Sequence, residues 1–76
     1  MKDTILKILS EIRPEFDFKE SSDFIEDGFL DSYDIVSVIS AIEDEFGVII
    51  DGLDVIPENF ETIDSIVKLI EKSESR

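Results

Sequence analysis

The chain has 76 residues, a formal net charge of −13, and neither cysteine nor histidine. That length suits a single domain, residues 1–76, around one small core, and the missing side chains remove disulfides, thiolate nucleophiles, the commonest general base and the usual zinc ligands. A surface so acidic repels nucleic acid and anionic lipid and attracts basic protein faces.

No catalytic residue and no metal site is expected, and an enzyme is disfavoured. The apolar content of 42% is ordinary for a folded protein despite the charge. No apolar run reaches membrane-spanning length, and "MKDTILKILSEIRPEF" lacks a cleavable signal pattern because Asp3, Lys7, Glu11 and Arg13 interrupt it at helical spacing. The expectation is a soluble, cytoplasmic monomer that does not insert into a membrane.

The first helix is predicted in "DTILKILSEI", where Ile5, Ile8, Leu9 and Ile12 share one face, Asp3 serves as N-cap and Pro14 stops the run. The long stretch "PEFDFKESSDFIEDGFLD" is predicted to be pinned across the bundle by Phe16, Phe18, Phe24, Ile25, Phe29 and Leu30. Within it, Ser22 to Gly28 reads as a single helical turn, capped by serine and closed by glycine.

The central helix is predicted from Ser32 to Gly47, with glycine suited to a left-handed C-terminal position. Ile35, Val38, Ile39, Ile42 and Phe46 form its apolar stripe, which leaves Tyr33, Ser37, Ser40 and Asp44 on the opposite side. "VIIDGLDVIPENFE" reads as a turn at Asp51-Gly52 and a short helix from Pro57. The last helix follows in "TIDSIVKLIEK", capped by Thr62, with Ile63, Ile66, Val67 and Ile70 inward, before a fraying "SESR". The fold class is all-α, a small four-helix bundle of three main helices and one short helix, with no strand required.

Ser32 is the residue with a claim to chemistry. A serine at a helix start is commonly only an N-cap, but Asp31 can cap here and leave Ser32 in the first turn with its hydroxyl outward. A phosphate ester at that position gains from the helix dipole and the free backbone N–H groups. Asp31 and Asp34 could hold a divalent cation or a partner's basic residue, yet nothing around them suggests the buried cleft of a general acid and base. The run Glu43 to Glu45 lacks the spacing of a calcium loop and reads as a solvated face.

The stretch "LDSYDIVSVISAIEDEFG" resembles the phosphopantetheine attachment site of acyl and peptidyl carrier proteins. The resemblance extends to the leading helix, the long first loop and "IPENFETIDSIVKLI". It implies a bundle of acyl-carrier-protein type and 4′-phosphopantetheine, taken from coenzyme A, attached covalently to Ser32. Asp31 matches the aspartate that precedes the attachment serine. Tyr33 stands where the family usually has leucine or methionine, a residue that packs into partner pockets. Asp34, Glu43 and Asp44 match positions that often meet basic partner residues. Val36 and Ser37 belong to the same partner-binding face, and Ser37 departs from a position that is often acidic.

The implied partners are a phosphopantetheinyl transferase, an acyl- or aminoacyl-loading ligase, and acyltransferases or synthases with basic docking faces. The absence of cysteine agrees, because the thiol of a thioester must then come from the cofactor. Two alternatives compete: an acidic interaction module that mimics nucleic acid or inhibits a basic protein, and a carrier-like scaffold that is never modified. The first explains the charge but leaves Ser32 at a helix start unexplained.

Overall fold

The computed structural model describes residues 1–75. It contains three α-helices: α1 over Lys2–Ile12, α2 over Ser32–Phe46 and α3 over Ile63–Glu74. Three 3₁₀ turns, Phe18–Glu20, Gly52–Asp54 and Pro57–Phe60, complete the elements, and there is no strand among the described residues. The short fourth helix expected from Pro57 is thus a four-residue 3₁₀ turn. Helix α1 packs against both α2 and α3, and the Pro57–Phe60 turn sits against α3.

Helical periodicity accounts for the core. Ile5 and Leu9 of α1, Ile35, Val38 and Ile42 of α2, and Ile66, Leu69 and Ile70 of α3 are buried in one cluster with Phe24 and Phe60. Ile39 and Phe46 flank the α2 stripe, half-buried. On α3 the buried face is rotated slightly from the expected one: Leu69 is fully enclosed, while Ile63 and Val67 lie at its margin. Truncating a side chain as enclosed as Ile42 to alanine would cost on the order of 3 kcal/mol.

The helix ends show what the chain does locally. Helix α1 is capped two residues earlier than expected, because the Met1 carbonyl already accepts from the Ile5 N–H at 3.1 Å. Met1 is therefore the N-cap, and Asp3 lies in the first turn, where its charge still favours the helix dipole. Arg13 closes the helix with its N–H on the Leu9 carbonyl at 2.9 Å, and Pro14 cannot extend it. Helix α3 begins as expected, with Thr62 Oγ1 accepting from the Ser65 N–H at 3.0 Å. Its end does not fray at Ser73: that hydroxyl is buried and donates to the Leu69 carbonyl at 2.9 Å, and the helix continues through Glu74. Arg76, the last residue of "SESR", lies outside the described residues.

Residues 13–31 are held by an aromatic knot. Phe16 stacks on Phe29 at 4.4 Å between ring centroids, while Phe18 presents its edge to Phe24 at 5.1 Å and to Phe29 at 5.6 Å. Edge-on and stacked contacts of this kind add to the stabilisation that burial alone supplies. The turn expected at Ser22–Gly28 forms and is closed by Gly28 at φ +75°, but its cap is Asp23 rather than a serine. One Asp23 oxygen accepts from the N–H groups of both Ile25 and Glu26. The Phe24 N–H then reaches the Glu61 carbonyl at 2.7 Å and ties the loop to the approach of α3. These anchors fix where α2 begins.

Candidate functional site

Helix α2 opens on a reciprocal capping box. Asp31 is the N-cap, and its Oδ1 accepts from the Asp34 N–H at 2.8 Å, while Asp34 Oδ2 accepts from the Asp31 N–H at 3.1 Å. Two of the backbone donors that a helix start leaves unpaired are satisfied in this way. Ser32 is therefore the first residue of the helix and not its cap. It is exposed, and its hydroxyl makes no hydrogen bond to any described residue.

Arg13 completes this site, and sequence reasoning missed it. From the end of α1, its Nε donates to Asp34 Oδ2 at 2.9 Å and its Nη2 approaches Asp31 Oδ2 at 3.4 Å. Those two nitrogens form one edge of the planar guanidinium, so the edge spans both capping carboxylates. Nη1 pairs with Glu15 at 3.3 Å. A cue was present: Arg13 ends the apolar period of α1 beside Pro14, and an Asp-x-x-Asp pair at a helix start leaves two acids close together.

Electrostatics follow from that geometry. Burial opposes ionisation of Asp34, but the Arg13 hydrogen bond, the Asp31 N–H and the Arg13 charge outweigh it and hold the carboxyl below the usual carboxylate range. The Arg13 guanidinium is correspondingly raised by its hydrogen bond with Asp34 and by that carboxylate's charge.

The structure sorts the expected docking residues. Tyr33 is 80% exposed and Val36 62% exposed. Asp44 is also exposed, whereas Ser37 is half-buried. Asp34 is corrected: it is only 5% exposed, and its carboxylate serves the capping box and Arg13. It is not an outward acid for a partner, and Arg13 fills the place between Asp31 and Asp34 suggested for a cation or a partner's basic group. Glu43 is half-buried and turns its Oε2 to the Ile50 N–H at 2.9 Å, which anchors the chain after Gly47. No group of three or more acids able to hold a metal exists among the described residues.

Beyond α2 the structure adds exposed apolar residues that helical periodicity did not suggest. Ile49 is 81% exposed and Leu53 86%, joined by Val55 and Ile56. Among the described residues, every large apolar side chain left exposed, apart from Met1, falls between Tyr33 and Ile56.

The family model described as phosphopantetheine attachment site matches residues 3–70. No curated protein and no solved structure gives a match to the chain.

Proposed function

The chain belongs to the phosphopantetheine attachment site family, whose members are non-catalytic carriers of a covalent 4′-phosphopantetheine, and from that premise we propose that Ser32 is the attachment residue. The observation that carries the proposal is an exposed, uncommitted serine hydroxyl directly after the Asp31 cap. The surroundings suit the group. At the first turn the N–H groups of Ser32 and Tyr33 have no carbonyl four residues back within the helix, so a phosphodiester meets free donors and the positive end of the dipole. In the transfer, Ser32 Oγ bonds to the pantetheine-side phosphorus of coenzyme A as the bond to the adenosine bisphosphate half breaks, and the serine proton passes to a base on the transferase. The attached arm supplies the thiol that this cysteine-free chain lacks.

The cargo is an acyl or aminoacyl group held as a thioester, loaded by a separate ligase. Partner enzymes dock with basic surfaces on a face that presents Tyr33, Val36 and Asp44, with Ser37 at its margin. Ile49 and Leu53, after α2, are exposed apolar residues that a partner could also bury. The acidity steers basic partners and allows quick release, which a carrier visiting several enzymes requires. Incubation with coenzyme A and a broad-range phosphopantetheinyl transferase, followed by intact-mass measurement, tests the proposal. One added phosphopantetheine on Ser32 supports it, and an unchanged mass favours the unmodified interaction module.

A further inference from the structure

The carboxylates gathered at the start of α2 raise a problem for the modification of Ser32. Glu15, Asp31 and Asp34 gather there around a single guanidinium, so the neighbourhood is already net negative before a phosphodiester is added. Asp34 is buried, and it cannot turn into solvent to relieve the crowding. Its ionised form also holds the Asp31 N–H, and Asp31 in turn holds the Asp34 N–H. The local frame that aims Ser32 outward thus depends on two mutually repelling carboxylates staying together. Arg13 is the cation that meets both of them.

We propose that Arg13 is a positioning residue for the modification of Ser32, acting through Asp31 and Asp34 from the end of α1. Its guanidinium edge holds the two acids in the reciprocal cap and offsets the negative charge that the phosphodiester adds. The reach across two chain segments matters, since Arg13 lies 21 residues before Asp34 in sequence. It makes the start of α2 depend on the end of α1. The two contacts are unequal: 2.9 Å to buried Asp34 is firm, while 3.4 Å to exposed Asp31 is loose. Asp34 is therefore the anchor, and exposed Asp31 is the looser of the two partners.

The inference rests on the carrier reading, and its test separates the two. The wild-type chain, Arg13→Gln and Arg13→Lys are each incubated with coenzyme A, magnesium and a broad-range transferase, well below their melting temperatures. If the wild-type chain gains no phosphopantetheine, the carrier reading itself fails. Given wild-type modification, Arg13→Gln should lower kcat by about tenfold with KM changed by no more than about twofold, because the docking face is intact while the hydroxyl is less well held.

Arg13→Lys should recover only a minor part of that rate, since a point charge cannot span two carboxylates as a planar fork does. It also serves as the test variant if Arg13→Gln does not fold. Amide exchange supplies an independent readout: the N–H groups of Asp31 and Asp34 should exchange faster in Arg13→Gln, with core amides of α3 unchanged. The change in melting temperature on modification should also be more unfavourable in Arg13→Gln than in the wild type. Equal modification rates and equal thermal shifts would overturn the inference, as would full recovery by lysine.

Discussion

Arg13 Nε and Asp34 Oδ2 lie 2.9 Å apart, joining the first residue beyond α1 to the third residue of α2. The pair converts a helix cap into a tertiary contact. The buried Asp34 carboxylate accepts from two donors at Oδ2, Arg13 Nε and the Asp31 N–H, while the Asp34 backbone N–H donates to Asp31 Oδ1.

Replacing Asp34 should therefore damage stability rather than docking alone. Asp34→Ala removes an element of the cap and leaves Arg13 facing a partly enclosed space, so a loss of about 2 kcal/mol is expected in urea denaturation. Asp44→Ala, on the exposed face, should change stability by less than about 0.5 kcal/mol. Equal, small effects at both positions would mean that the clamp adds nothing to the fold.

Much of this was legible from the sequence, and the parts that were not have a common cause. Ile35, Val38 and Ile42 declare their face by period, and Gly47 declares the end of α2 by its freedom at positive φ. The place of Ser32, exposed and first in α2, was legible because Asp31 precedes it and can cap the helix. The role of Arg13 depends on how the first loop returns α2 to α1, a long-range fact that the pattern of neither helix contains. Asp34 looked like an outward acid for the same reason, since helical period alone cannot show a cation arriving from another segment. The Asp23 cap was hidden by its serine neighbours, which have similar capping preferences.

Acidity should act on two carboxyls in opposite directions. Glu61 is raised above its ordinary value of 4.5 by its hydrogen bond with Asp23, by burial, and by the negative charges of Asp23, Glu58 and Glu26. A raised carboxyl contributes stability below its unfolded value and loses it as pH climbs through the folded one. Asp34 is lowered from 3.8, so its contribution is present above that value and is lost as pH falls through the folded pKa. The melting temperature should rise on mild acidification from neutral pH, then fall in stronger acid. Glu61→Gln should flatten the upper limb and raise the melting temperature at pH 7, which thermal scans across pH can check. A lower melting temperature for that variant at pH 7 would contradict the repulsion assigned to the Asp23–Glu61 pair.

Charge crowding should also respond to salt. With a net charge of −13, self-repulsion opposes the folded state at low ionic strength. Moderate sodium chloride, or millimolar magnesium or calcium, is expected to raise the melting temperature through screening, without a discrete metal site. Calorimetry that found no dependence on either would show the charges to be compensated within the fold.

Tyr33 separates docking from folding. At 80% exposure it does not shield the first loop, and it offers a ring with a polar tip directly after Ser32. Tyr33→Ala should change stability by about half a kcal/mol or less, while loading by the cognate ligase slows substantially. Normal loading with a large loss of stability would assign the ring to the fold.

Intact-protein mass spectrometry of the wild type and Ser32→Ala, each treated with coenzyme A and a broad-range phosphopantetheinyl transferase, bears on the central claim most directly. The wild-type chain is expected to gain one phosphopantetheine, and Ser32→Ala none, with the helical circular dichroism of the variant nearly intact. Modification of Ser32→Ala, or a wild-type adduct that peptide mapping puts on Ser37 or Ser40, would contradict the assignment.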